Sequence, residues 1–581
     1  MSSNSPAVSS NWWMFHGDPA HTGEVTGSAI NSGNVSGLTL KYSINVNGSI
    51  LSTPAVVDGF VYCGLANSLE EAVKGNGGQF IKVDLASGET TATFNWPINP
   101  ADRDTHGFCG MGCTPAVIGG KVYFSAFDGK LYCLNQSDLS LAWVTDLRYA
   151  DMPHNQPVTN DFPNGNDATP AQGGPQAKAS GWSSPLVVND RVYLGMGEGE
   201  NPYLYGFIYC IDANSGNVIW IYCTCQFYVN PKNLLEDQNQ PNQLPIETIR
   251  QALPAGFTTY LFQPVAKGAS VWSGIAYDPE LDQLYAATGN PVPDGPLPTA
   301  GYTNSVLVLS ASTGAYKACI QIPASTSYRP SDVDIDIGGA PTLWKANGRN
   351  VVGIGCKNGC YMTFDANTFE IIATRQLLPK MNDGSQIATV DPHGPFDDPT
   401  HIDAVVSNAV SNVTNAENYH GTYSTAALCT AQKRLFIGVG GNNYHYIAAG
   451  IDSDNTPFIR ALDLDTLDDA WPLDDGDPKR YVAAADPNNP LYKMAGESGI
   501  SVPAVVNDVV FMSTTRVALY AFNASDGKLL WSDVVNFGAQ TGGMNGGYGY
   551  CMGPAIAGNY VVAGALVQGG NGGVLNIYSL S

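Results

Sequence analysis

A chain of 581 residues with 13 % charged side chains, 64 glycines and 37 prolines favours many short strands and turns over long helices. Its 51 acidic against 27 basic residues leave a net charge of −24, which argues against a nucleic-acid backbone as partner. No apolar run reaches the ~18 residues of a membrane span.

The chain opens on Met1-Ser-Ser-Asn, which is polar and uncharged, so no signal peptide is expected in this sequence. A mature secreted or periplasmic protein would look the same. Residues 1–37 read as an N-terminal arm, and its His16 and His21, in FHGDPAHTG, are expected to pack or make hydrogen bonds. LTLKYSINV, Leu38–Val46, reads as a strand with no sheet before it.

One phrase then recurs: a small residue, Pro, an apolar pair, a turn and an apolar strand. It reads TPAVVDGFVYCG at Thr53, TPAVIGGKVYFSA at Thr114 and SPLVVNDRVYLGM at Ser184. It returns at Ala276, Ala340, Ser424, Val502 and Gly553, making eight copies. A second phrase follows most of them: a strand, an Asx-rich turn, and a strand that often ends in Trp, as in IYCIDANSGNVIW to Trp220. Two hairpins per unit predict four-stranded antiparallel blades, and eight units predict an all-β, eight-bladed propeller over residues 38–581. The chain runs out at LNIYSLS, a third strand lacking a fourth, so the strand near the start is expected to complete the last blade and close the ring. Long Pro-, Asn- and Asp-rich insertions near Thr145–Gly181, Gln226–Lys267, Leu378–Tyr419 and Asp474–Ser498 read as loops. The cysteine spacings match no zinc site, and C-x-x-C-H is absent.

The eight units and the stretch GASVWSGIAYDPELDQLYAATGN, Gly268–Asn290, resemble the quinoprotein superfamily of pyrroloquinoline quinone (PQQ)-dependent alcohol dehydrogenases. That resemblance implies PQQ on the propeller axis, a bound Ca²⁺ or lanthanide, an alcohol substrate, an external electron acceptor and an Asp general base. It implies a role for each matching residue. Trp272 falls where the family stacks a Trp under the quinone, and Asn290 where it has an amide metal ligand. Glu200, with Glu198 two residues away, falls at the metal-ligating Glu. In SDVDIDIG, Asp334 falls at the base and Asp336 at the extra carboxylate of lanthanide-using members. Lys357 stands where the family places a Lys or Arg on the quinone oxygens. Three positions depart from the pattern: Cys113 replaces a cofactor-binding Arg, Leu51 an acidic residue, and Gly197 a Ser. Cys109 and Cys113 lie where the family has two adjacent cysteines.

Taken as chemistry, the set is coherent. Carboxylates and an amide suit a hard cation, an ionised Asp334 can take a hydroxyl proton, and Lys357 can stabilise negative charge on an oxygen. Asp332, Asp334 and Asp336 alternate with Val333 and Ile335, so an extended segment points all three carboxylates one way. Each residue also has a plainer reading: Trp272 as blade packing, Asn290 as a turn cap, the aspartates as a solvated loop, Lys357 as a turn lysine. A denser group, His393, Asp397, Asp398, His401 and Asp403, reads as a solvated rim or a second metal site. Two other functional readings remain open: a metal-dependent, non-redox propeller enzyme, and a non-catalytic binding scaffold.

Overall fold

The computed structural model describes residues 11–68, 78–97, 108–147, 181–197, 206–224, 269–289, 304–321, 337–357, 360–377, 422–439, 459–471, 501–513, 518–534, 553–566 and 572–580. Each small-Pro-apolar phrase forms the innermost strand of a sheet. Two-residue turns with both residues at positive φ then reverse the chain, as at Asp58-Gly59 (53° and 80°) and Asn347-Gly348 (50° and 79°). This turn type matches the twist of paired strands, and Asn, Asp and Gly tolerate its backbone.

Blade 1 runs Ala55–Val57, Phe60–Ser68, Gly78–Asp84 and Thr90–Trp96 from the inside out. Blades 2 to 5 and blade 7 repeat it, with inner strands Ala116–Ile118, Leu186–Val188, Ile275–Asp278, Thr342–Ala346 and Ala504–Val506. Blade 6 starts at Ala427–Cys429 and has three described strands; its outer edge is a single bridge, Leu462 to Asp469. Blade 8 takes three strands from the end of the chain and its outer strand from Leu38–Val46, with Leu38 opposite Leu580. The eight-bladed ring and its closure by the N-terminal strand are therefore as expected.

Neighbouring blades lock by a volume rule. In blade 3 an outer-strand Trp, and in blade 6 the Trp just after the bridge at Asp469, lies on a turn glycine of the next blade. A Cβ added at Gly314 would sit 2.7 Å from Trp220, and one at Gly527 2.8 Å from Trp471. Trp143 on Gly216 and Tyr42 on Gly88 do the same. At three junctions the sizes are exchanged. Ala92, Ala318 and Ala373 stand on the outer strands, and Leu139, Phe369 and Leu467 occupy the turn at φ of 60°, 63° and 61°. Each alanine shares a hydrophobic cluster with its large turn partner. Three strained non-glycine residues thus fill the space a Trp fills elsewhere. Gly314→Leu alone is expected to destabilise the protein, and adding Trp220→Ala to recover part of the loss. A double-mutant cycle on unfolding midpoints should give a coupling of about 1–3 kcal/mol; additive losses would refute the rule.

The N-terminal arm threads the inside of the ring. Trp12 exchanges two backbone hydrogen bonds with Val56 of blade 1, at 2.8 and 2.7 Å. The carbonyls of Trp13, Pro19, Ala20, Thr22 and Gly23 accept the N–H groups of Val117, Tyr277, Leu343, Leu428 and Val505 in blades 2, 4, 5, 6 and 7. Ser28 donates to the Gly558 carbonyl of blade 8. The arm thereby pairs inner-strand donors that would otherwise face the axis alone. His16 lies 2.7 Å from the His21 carbonyl and 3.0 Å from that of Pro503, and His21 Nδ1 lies 3.0 Å from the Pro341 carbonyl.

Candidate functional site

Of the residues that resembled a site, Cys113 and Trp272 lie just ahead of inner strands, and Lys357 follows a second strand. In blade 4 three chain segments are tied there. Gly289 N–H donates to Ser270 O at 2.7 Å, and Asn304 N–H to Gly289 O at 3.1 Å. Trp272 follows Ser270 by two residues and keeps part of its ring exposed. Below it the arm fills the axis: a Cβ at Gly274 would lie 2.9 Å from Phe15 and 3.0 Å from His21.

Lys357 leaves the second strand of blade 5 and is fully buried. Its Nζ sits 5.3 Å from the Trp272 ring centre and 4.7 Å from that of Tyr423 in blade 6. Trp272 and Tyr423 are both half-buried, and the Lys357 amine between them is shut off from solvent. Close packing here uses Gly338: a Cβ on it would be 3.1 Å from Tyr423 Cδ1 and 3.4 Å from Trp272 Cη2. The structure thus brings Trp272 and Lys357 together. Tyr423 was not singled out from the sequence. Its signal was available, because Tyr423 and Trp272 hold the same position in their repeats.

Asn304 is joined to the Gly289 segment through its backbone. Its side-chain amide nitrogen and oxygen are both buried without a partner, and its φ is 49°. An unsatisfied buried amide costs about 1–3 kcal/mol, so a polar contact supplied from outside the chain would be favourable. A flat face with a lysine amine beside it fits a planar, anionic, carbonyl-bearing group such as PQQ.

The opposite side is apolar. Leu51 packs with Ala66 and Phe127, and Trp182 lies against them, its ring centre 5.0 Å from that of Phe127. Cys113 is buried and donates its thiol to the Ser125 carbonyl at 3.3 Å. Burial pushes that thiol up to about 11, so it is neutral at physiological pH. Cys113 is a free thiol. Glu198, Glu200, Asn290, Asp334 and Asp336 lie outside the described residues, as does the group from His393 to Asp403. Among the described residues no set of three His, Cys, Asp or Glu side chains forms a metal site, and no helix is long and apolar enough to cross a membrane.

Comparisons with known proteins agree with this fold. The family model described as outer membrane protein assembly factor BamB matches residues 442–576. The dehydrogenase subunit of a quinone alcohol dehydrogenase from Komagataeibacter europaeus is 24% identical over 549 residues, 88% of this chain and 66% of that protein. Lupanine 17-hydroxylase [cytochrome c] from a Pseudomonas species is 25% identical over 388 residues, covering 64% of this chain and 48% of that protein. This chain therefore spans just under two thirds of the first relative's length and about half of the second's. Among solved structures, the quinohemoprotein alcohol dehydrogenase of Comamonas testosteroni superposes with a TM-score of 0.62 at 18% identity, over 99% of this chain and 81% of that one. A europium-containing methanol dehydrogenase gives 0.60 at 16%, over 98% of each chain. At these identities the structures share the propeller.

Proposed function

We propose that this chain, a PQQ-like β-propeller by sequence similarity and by fold, is a quinoprotein oxidoreductase that oxidises an alcohol. The observation that carries the reading is the buried Lys357 amine set between the Trp272 and Tyr423 rings. PQQ, when bound, is the acceptor of the two electrons that leave the alcohol. Trp272 offers the flat face on which a planar group stacks. Lys357 is proposed to place a positive charge against the quinone oxygens, in a water-poor place where a charge acts more strongly than in solvent. Glu200, Asn290, Asp334 and Asp336 are proposed to hold Ca²⁺ or a lanthanide, and Asp334 to take the hydroxyl proton. Electrons then pass to an external acceptor, a reaction that goes with a periplasmic or secreted setting.

The test is dye-linked alcohol oxidation after reconstitution with PQQ and either Ca²⁺ or a lanthanide. Dye reduction and a bound-quinone absorbance are expected. Lys357→Met should lower kcat about a hundredfold or more with little change in KM, and Asp334→Asn should abolish turnover. Absence of both dye reduction and bound quinone in the wild type would sink the proposal. Metal binding without quinone would favour the non-redox reading, which the apolar side formed by Leu51, Trp182 and Cys113 makes the leading alternative.

A further inference from the structure

The hydrogen bonds from inner-strand N–H groups to the arm give blades 1, 2, 4, 5, 6 and 7 a common origin. The inner-strand residues that donate to it, Val56, Val117, Tyr277, Leu343 and Leu428, are equivalent. In blade 3 the equivalent is Val187, central in Leu186–Val188 as Val117 is in Ala116–Ile118. Counting five residues back from each gives Leu51, Gly112, Trp182, Trp272, Gly338 and Tyr423 in blades 1 to 6. These six positions form a collar at one end of the axis, ahead of the inner strands.

The collar is aromatic wherever it is not small or aliphatic, and its glycines make room for its rings. A Cβ on Gly112 would lie 2.6 Å from Trp182 Cζ3, just as a Cβ on Gly338 would crowd Tyr423 and Trp272. All three rings are partly exposed, while the residues flanking Trp182 and Tyr423 in the chain are buried. Trp182 and Trp272 are neighbours around the ring, since Ser183 Oγ donates to Ser273 O at 2.9 Å. Polarity divides the collar in two. Leu51 and Trp182 make one half apolar with Phe127, and Lys357 puts an amine in the other half between Trp272 and Tyr423.

We infer that the collar is a binding site for a planar aromatic ligand, which rests on the Trp182 and Trp272 rings. Its anionic or carbonyl edge is directed to the Lys357 half, and its less polar edge rests against Trp182 and Leu51. Trp182 is a further binding residue, and Tyr423 is a positioning residue that fixes the Lys357 ammonium. The inference deepens the proposed function by naming the ligand class of the same site, and its PQQ arm rests on that reading. Stacking on Trp182 is expected to favour planar quinones over non-planar compounds of the same charge.

Equilibrium dialysis of the full chain against two probes, PQQ and the uncharged planar quinone 9,10-phenanthrenequinone, tests it. Trp182→Leu should weaken both probes by about three- to tenfold, and Trp182→Phe should restore most of the binding. Tyr423→Leu should weaken PQQ by a similar factor and phenanthrenequinone much less, with Tyr423→Phe close to wild type. In a Lys357→Met background, Tyr423→Leu should have little further effect on PQQ. Residue-resolved acetylation of the ligand-free protein gives a second readout. Lys357 should be protected relative to the exposed Lys345, and Tyr423→Leu, but not Tyr423→Phe, should remove that protection. If PQQ fails to bind while phenanthrenequinone binds and depends on Trp182, the collar stands and the proposed redox function falls. If PQQ binds equally to wild type, Trp182→Leu and Tyr423→Leu proteins of unchanged thermal stability, the collar is overturned and the proposed function stands.

Discussion

Replacing Asp469 with alanine should remove about 3–5 kcal/mol of stability, because it leaves a buried guanidinium without its counter-charge. Arg460 and Asp469 have side chains only 3% and 5% exposed. Arg460 Nε donates to Asp469 Oδ1 at 2.9 Å, its Nη2 reaches the same oxygen, and its Nη1 donates to the Leu377 carbonyl at 2.7 Å. Arg375, on the outer strand of blade 5, pairs with the second Asp469 oxygen. The carboxylate therefore joins blades 5 and 6. The single substitution is costly because Arg460 cannot regain water. Replacing the pair together, Arg460→Met with Asp469→Leu, should cost much less. Chemical-denaturation midpoints of the three variants check this; a single loss below about 1 kcal/mol would show the pair to be effectively solvated.

Acidification from pH 7.5 to pH 5 should loosen the ring through its histidines. Burial lowers His16 to about 4 and His21 to about 3, against 6.5 for an ordinary histidine. The carbonyls beside them pull the other way but do not outweigh burial. The folded chain thus holds fewer protons than the unfolded chain between about pH 4 and 6.5. Their contribution is complete above that window and is lost as pH falls through it. For His16 alone the full span is on the order of 3 kcal/mol. Asp18 and Glu24, on the same arm, have raised pKa values, again mainly through burial. They gain protons more readily when folded, so they offset part of the loss at the acid end. Comparing the pH dependence of Tm in the wild type and in His16→Gln/His21→Gln isolates the histidine part. The variant should show a clearly shallower decline between pH 7 and 5; equal slopes would mean the histidines titrate freely.

The ring was legible because its signals are local. The Asp-Gly, Gly-Gly and Asn-Gly pairs between apolar runs encode hairpins by turn chemistry, and their spacing repeats eight times. The arm's path was not legible: its contacts run mainly through backbone carbonyls, which any residue provides, so Trp13, Pro19 and Ala20 carry no mark of what they bind. The exchanged junctions were hidden for a related reason. Phe369 and Leu467 look like ordinary apolar residues until their positive φ and the opposing alanines are seen together. At the site, Trp272 stood out within a specific pattern, whereas Tyr423 gained meaning only from its register with the other blades. Glu200, Asn290, Asp334 and Asp336 rest on the resemblance.

Closure by Leu38–Val46 also bears on how the protein is made. Thr39 donates to Ser579, 540 positions later in the chain. A ribosome releases the outer strand of the last blade long before the strand it must join. Seven blades can pair locally as they emerge, but the ring stays open until Gly573–Leu580 has been made. During that time the unpaired segment and the waiting edge are both exposed to other chains. The late step is thus a docking of two segments far apart in the chain, and its rate depends on keeping the early strand in reserve.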